Sequence, residues 1–123
     1  MQNHTKKEFI ENARKEYFKI GSVVCPAFNG EKVYFTERGL NHLLFKNGKQ
    51  RTVPDQYRRI KLLKIAIQIV RTVKTINSNE MRMTKNSYIK YYVLTENINK
   101  KVVKVIIIRE KMHLLFFLSV MDR

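Results

Sequence analysis

His42 is the side chain in this sequence best suited to move a proton: it follows an apolar run, Val33 to Phe35, and precedes a basic stretch, Lys46 to Arg51. Surrounding cations disfavour a protonated imidazole, which should lower its pKa below the reference of about 6.5 and leave the ring able to act as a base. Packing between Leu40 and Leu43 is the competing use of His42. Lys104 interrupts the apolar run Val102 to Ile108. An unpaired lysine in a fully buried strand costs several kcal/mol, so an open sheet face is the easier explanation. Arg109 ends the same run, where its charge must reach either solvent or a ligand. Ser119 is a lone polar group after Leu114 to Leu118, either a satisfied core hydroxyl or a functional one. Tyr88, Tyr91 and Tyr92 can stack nucleobases, at about 1–3 kcal/mol per base. Strand aromatics are more often core, so only one or two should face a ligand.

A base, cations and a hydroxyl are what metal-free cleavage of RNA requires. The base takes the 2′-hydroxyl proton, that oxygen attacks the adjacent phosphorus, and cations steady the charged intermediate while an acid protonates the leaving 5′-oxygen. DNA lacks the 2′-hydroxyl and is closed to this route. Other chemistries lack their residues: there is no glycine-rich phosphate loop and no serine in a nucleophile elbow. His4, His42, His113 and Cys25 are too scattered for a metal motif, so neither a metal nor another cofactor is expected.

Charge points the same way. Against 10 Asp and Glu stand 25 Lys and Arg, a net charge of +15 over 123 residues. Self-repulsion of that size opposes compactness, and a chain that keeps it is suited to hold a polyanion, with a generally solvated basic surface as the plainer alternative. With 44% apolar and 28% charged residues the chain should fold. One cysteine allows no internal disulfide, so the cytoplasm is the expected location. No apolar stretch follows the first lysines, as a secretion signal requires. The apolar region Val102 to Met121 is broken by Lys104, Arg109, Glu110, Lys111 and His113, so no membrane span is expected.

The elements that would position these residues follow from periodicity. Thr5 to Ile20 has helical spacing, with Thr5 and Glu8 as a capping box and Gly21 as terminator. Ser22 to Phe28 and Lys32 to Thr36 flank Asn29-Gly30, a hairpin dipeptide, with Pro26 marking the first run as an edge. Thr36 should cap a short helix, Glu37 to Lys46, followed by a basic loop from Lys49 to Val53. Pro54 should open a long helix over Asp55 to Ile76, with Lys61, Lys64, Gln68, Arg71 and Lys74 as a basic stripe. Asn77 to Asn86 is polar and reads as loop. Three strands then fit: Ser87 to Thr95, Lys101 to Arg109 and His113 to Met121. The sum is an α+β arrangement, with helices on one face of an antiparallel sheet. Candidate contacts to RNA are Lys46 at the end of the short helix, Lys49 and Arg51 of the loop, Arg58, Lys61, Lys64 and Arg71 of the long helix, and Tyr92.

The segment Val33-Tyr34-Phe35-Thr36-Glu37-Arg38-Gly39-Leu40-Asn41-His42-Leu43-Leu44 is followed by a basic loop, a Leu/Ile-rich helix and a sheet ending in Phe116-Phe117-Leu118-Ser119-Val120. Together they resemble the phage-associated branch of the barnase, EndoU, colicin and RelE-like nucleases. At 123 residues the chain fits one domain; the resemblance spans roughly Val33 to Val120 and implies a metal-independent endoribonuclease core over residues 32–123, with residues 1–31 as an extension. It implies amino-terminal helices packed on a carboxy-terminal sheet of about four strands whose exposed face carries the active site. His42 would match the helical histidine, Arg109 the basic residue of a central strand and Ser119 the small hydroxyl residue of the terminal strand, with looser matches at Lys104 and Tyr91. It further implies a toxin acting on tRNA or mRNA, and an acidic antitoxin or immunity protein as partner. A non-catalytic RNA-binding module using the same basic face is the alternative. A DNA-binding or structural phage protein is weaker, because no recognition-helix motif is evident.

Overall fold

Two-residue turns in left-handed backbone set the pairing of much of this chain. A computed structural model gives the structure of residues 2–83, 88–110 and 114–122, with side chains from residue 7 onward. Asn47 and Gly48 (φ 53° and 77°) join β3 (Phe45–Lys46) to β4 (Lys49–Gln50). Asn99 and Lys100 (φ 51° and 67°) join β6 (Tyr88–Ile98) to β7 (Lys101–Glu110). Positive φ at both positions is the twist that right-handed strands demand, and Asn tolerates it. β6 therefore runs on to Ile98, three residues past the Thr95 end expected from sequence.

Among the described residues the sheet has six strands in the order β1-β2-β8-β7-β6-β5, with β1 spanning Ser22–Cys25, β2 Glu31–Tyr34, β5 Ser78–Met83 and β8 Leu115–Asp122. It is antiparallel except where β2 runs parallel to β8, Val33 opposite Leu115 and Tyr34 opposite Phe116. The expectation of about four strands is therefore corrected to six. The amino-terminal hairpin, read as an extension over residues 1–31, joins the sheet through β2. The other addition is β5, in the stretch read as loop. All six of its residues are exposed, so no apolar alternation marks it. Backbone pairing to β6 holds it, helped by Asn77, whose amide donates to the Val93 carbonyl (2.9 Å) and whose Oδ1 accepts from the Thr95 amide (2.9 Å).

The described residues form three α-helices: α1 (Gln2–Ile20), α2 (Glu37–Leu44) and α3 (Val53–Thr72). They are not all amino-terminal to the sheet, since α2 and α3 fall between β2 and β5. α1 begins before Thr5, so the expected capping box is not its start. α3 begins at Val53, with the Thr52 hydroxyl accepting from the Asp55 amide (3.3 Å). It ends four residues short of Ile76, where the β-branched Thr72, Val73, Thr75 and Ile76 favour extended backbone. The basic loop after α2 is in fact the β3–β4 hairpin. His113 and Ser87, expected to begin strands, lie outside the described residues.

α3 packs on β1 and β6 to β8, and α1 lies across α3. The core between them holds Ile60, Leu63, Ala66, Ile69 and Val70 against Leu94, Val105, Ile107, Phe117 and Val120. α2 runs beside the outer edge of β8 beyond the short pairing with β2. Its Leu40, Leu43 and Leu44 enter the core, while Gly39 meets β8 so closely that an added Cβ would lie 2.6 Å from the Phe117 carbonyl oxygen. At its carboxyl end the buried Gln56 amide of α3 donates to the Leu44 carbonyl (3.0 Å).

Candidate functional site

Among the described residues no helix packs on the second face of the sheet. Cross-strand partners share a face, so Thr95, Lys104 and Met121 form one row of it, Val93, Ile106 and Ser119 the next, and Tyr91, Ile108 and Phe116 a third. Ser119 belongs there because of a β-bulge. Ile106 pairs with Ser119 but Ile107 pairs with Phe117, leaving Leu118 as the extra residue. The bulge turns Phe117 into the core and Ser119, buried at 8% exposure, toward the other face.

On this face lies a groove of about 730 Å³. Its floor is Tyr91, Val93, Ile106, Leu118, Ser119 and Met121, and its walls are His42 of α2, Arg51 after β4, Arg59 of α3 and Glu80 and Arg82 of β5. Arg38 lies four residues before His42 and so on the same side of α2, where it pairs with Glu110 at the end of β7.

The cations here are held rather than merely solvated. The Arg51 side chain is only 10% exposed; its Nε donates to the His42 carbonyl (3.2 Å) and its Nη1 to Asp55 (3.2 Å). Arg59 is 16% exposed and lies 3.5 Å from the same Asp55 carboxylate, yet its buried Nε has no hydrogen-bond acceptor among the described residues. Burial, then the neighbouring Arg51 charge, lowers the guanidinium pKa of Arg59. Arg82 lies over the Tyr91 ring, 4.6 Å from its centroid, anchored by Glu80 at 3.1 Å. His42 is kept below its ordinary pKa by desolvation first and then by the charges of Arg38, Arg51 and Arg59. The direction matches the sequence expectation, with desolvation as an added cause. A neutral imidazole beside fixed guanidinium groups can accept a proton from a group that those cations hold.

Of the residues singled out from sequence, His42, Arg51, Tyr91 and Ser119 line this one groove, and Lys104 lies on the same face one row further along. Arg109 does not join them. Its register partners are Lys90 and Leu115, on the helix-bearing face, and its guanidinium grips Glu31 of β2 at 2.7 and 3.0 Å. Tyr92 is likewise turned to the core, edge-on to Phe28 at 4.8 Å. Lys61 and Lys64 border a separate groove between α1 and α3, and Arg58 is committed to Asp55 and Asp122. Lys46 and Lys49 are exposed on the β3–β4 hairpin, beside Arg51 but outside the main groove, and Arg71 is exposed on α3. Arg38, Arg59 and Arg82 were missed. The sequence signal for Arg59 is weak: it stands four residues before Leu63 of the apolar row but among the other cations of the same helix.

Replacing Arg109 by alanine should therefore loosen β2 from β7 without emptying the groove. A loss of about 1 kcal/mol is expected for a partly exposed pair, measured by denaturant unfolding, with little change in anything the groove binds. Hydrogen bonding to Arg109 holds the Glu31 carboxyl below its usual pKa. The stabilisation is thus present above the ordinary glutamate range and disappears as pH falls through the lowered value.

Among the described residues no three His, Cys, Asp or Glu side chains gather to hold a metal ion, and no helix is long and apolar enough to cross a membrane. Cys25 is buried, and burial pushes its thiol pKa up. Fold and groove together define an α+β protein with a cation-walled cleft on a bare sheet face. Comparison with protein-family models, curated proteins and solved structures finds no match for the chain.

Proposed function

We propose that this face binds the ribose-phosphate backbone of RNA and that His42 begins its cleavage, as in a metal-independent endoribonuclease. One observation carries the reading: a histidine with a depressed pKa shares a groove with Arg51, Arg59, Arg82, a tyrosine and a serine, in a chain of charge +15. Neutral His42 takes the 2′-hydroxyl proton, and the 2′-oxygen attacks phosphorus. Arg51 and Arg59 face the charge that develops on the phosphoryl oxygens, where fixed donors in a partly dry site are most effective. The P–O5′ bond breaks, its oxygen takes a proton for which the Tyr91 hydroxyl is the lining donor, and a 2′,3′-cyclic phosphate remains. Arg82 and Tyr91 offer planar surfaces to an unpaired base. A protein that inhibits such a site would be acidic enough to cover the same arginines.

The test is incubation of the purified chain with RNA and with DNA of the same sequence in EDTA. RNA cut to cyclic-phosphate ends, with DNA intact, is expected. RNA retained but uncut would leave a binding module, and cutting of both polymers would remove the 2′-hydroxyl route. Arg59→Ala should weaken RNA binding and flatten its dependence on salt by about 0.7 in the slope of log K against log salt, as loss of one phosphate contact on a single strand does. An unchanged slope would show that Arg59 touches no phosphate.

A further inference from the structure

The outer edge of β5 is the other unusual feature of this fold. It ends the sheet, all six of its residues are exposed, and nothing among the described residues pairs with its far side. Natural sheets blunt such edges with proline, lysine, bulges or a covering loop. Ser78-Asn79-Glu80-Met81-Arg82-Met83 has no proline or lysine, and its register with β6 is unbroken. Its two charges neutralise each other, and Met81 and Met83 are 58% and 74% exposed.

The sequence of this edge is complementary to itself. If two β5 strands meet antiparallel with Met81 opposite Met81, then Glu80 of each copy stands directly opposite Arg82 of the other. Asn79 then stands opposite Met83. Directly opposed side chains lie about 4.5–5.5 Å apart, close enough for two ion pairs on one face and a methionine contact on the other. A shift of this register by two residues loses both ion pairs.

We propose that β5 is a self-association edge, pairing with β5 of a second copy to make one continuous sheet. The two-fold axis of such a pairing stands perpendicular to the sheet, so both bare faces look the same way. The two grooves then adjoin, each bordered by its neighbour's Glu80 and Arg82. The two Tyr91 rings lie on strands three spacings apart, about 14 Å at the usual strand separation. A charge of +15 on each copy opposes this contact over a long range, whereas the paired edge acts at short range. Screening therefore favours the dimer: the Debye length falls from about 10 Å at 0.1 M salt to about 3 Å at 1 M.

Sedimentation of the full chain over a range of protein concentrations should show a monomer–dimer equilibrium that moves toward dimer as salt rises. Glu80→Arg and Arg82→Glu should each raise the dimer dissociation constant at least about tenfold, while an equimolar mixture of the two variants should dimerise. Met81→Cys should form a disulfide-linked dimer under mild oxidation, with the native Cys25 buried and silent. Met83→Cys should not, since its two copies stand apart in this register. A wild-type chain that stays monomeric at every salt concentration overturns the proposal. So does equal cross-linking through both cysteine variants, or uptake of only a foreign strand along β5.

Discussion

His42→Ala should lower RNA cleavage by about 10²- to 10⁴-fold, the usual contribution of a positioned general base, while leaving RNA binding within a few-fold of wild type. The separation follows from the groove. Its cations, Arg51, Arg59 and Arg82, do not depend on the imidazole for their placement: Arg51 is anchored by the backbone carbonyl of residue 42 and by Asp55. The pH profile gives a second readout. A base works only when unprotonated, so the rate falls as pH drops through the pKa of His42 in the folded protein. Desolvation and three nearby arginines put that pKa below the ordinary histidine value of 6.5, so the acid limb should begin below it. A wild-type limb centred above 6.5, or a variant that cuts RNA at the wild-type rate, would assign the base to another residue.

Phe117→Ala should cost about 3–5 kcal/mol, as large-to-small aromatic changes in a tight core do. That is a fifth or more of the ~5–15 kcal/mol that stabilises a typical domain. Phe117 is fully buried, stacks on Phe35 with ring centroids 4.8 Å apart, and lies against the bare backbone of Gly39. The reciprocal change, Gly39→Ala, overfills the same contact. Its Cβ would fall 2.6 Å from a backbone oxygen and 2.7 Å from the Tyr17 hydroxyl, which itself donates to the Thr36 carbonyl at 2.6 Å. A cost of about 1–3 kcal/mol is expected from such overpacking, and α2 must lift from β8 to relieve it. His42 rides on α2, so Gly39→Ala should reduce cleavage as well as stability. Chemical denaturation of both variants, beside their RNA-cleavage rates, checks this. Stability unchanged in Gly39→Ala would mean that α2 can shift without cost.

What could be read from the residues was whatever carries its own pattern. Helical spacing of apolar residues located α1 and α3, Asn-Gly marked the first hairpin, and apolar runs marked the three long strands. Lys104 was enough to infer a bare sheet face, because a lysine there must reach water. The failures each have a physical cause. β5 is exposed on both faces and so has no alternation to detect. Arg109 looked like a ligand-facing charge because its partner, Glu31, is 78 residues away in sequence. Ser119 stood in doubt between core and surface because strict alternation from Phe117 puts it inward, and only the extra residue at Leu118 reverses it. Arg59 was hidden within a basic helix whose other cations point elsewhere.

The parallel pairing of β2 with β8 bears on the order in which the molecule is completed during translation. β8 is the last of the described strands to be synthesised, yet it lies inside the sheet, between β2 and β7. Until it leaves the ribosome, the amino-terminal hairpin and the β5–β7 meander have no strand to join them, and α2 has no Phe117 to rest on. The nascent chain then carries His42 and its arginines without Leu118, Ser119 and Met121, the part of the groove floor that β8 supplies. Whatever the groove does waits for β8, around which the two flanking parts of the sheet close.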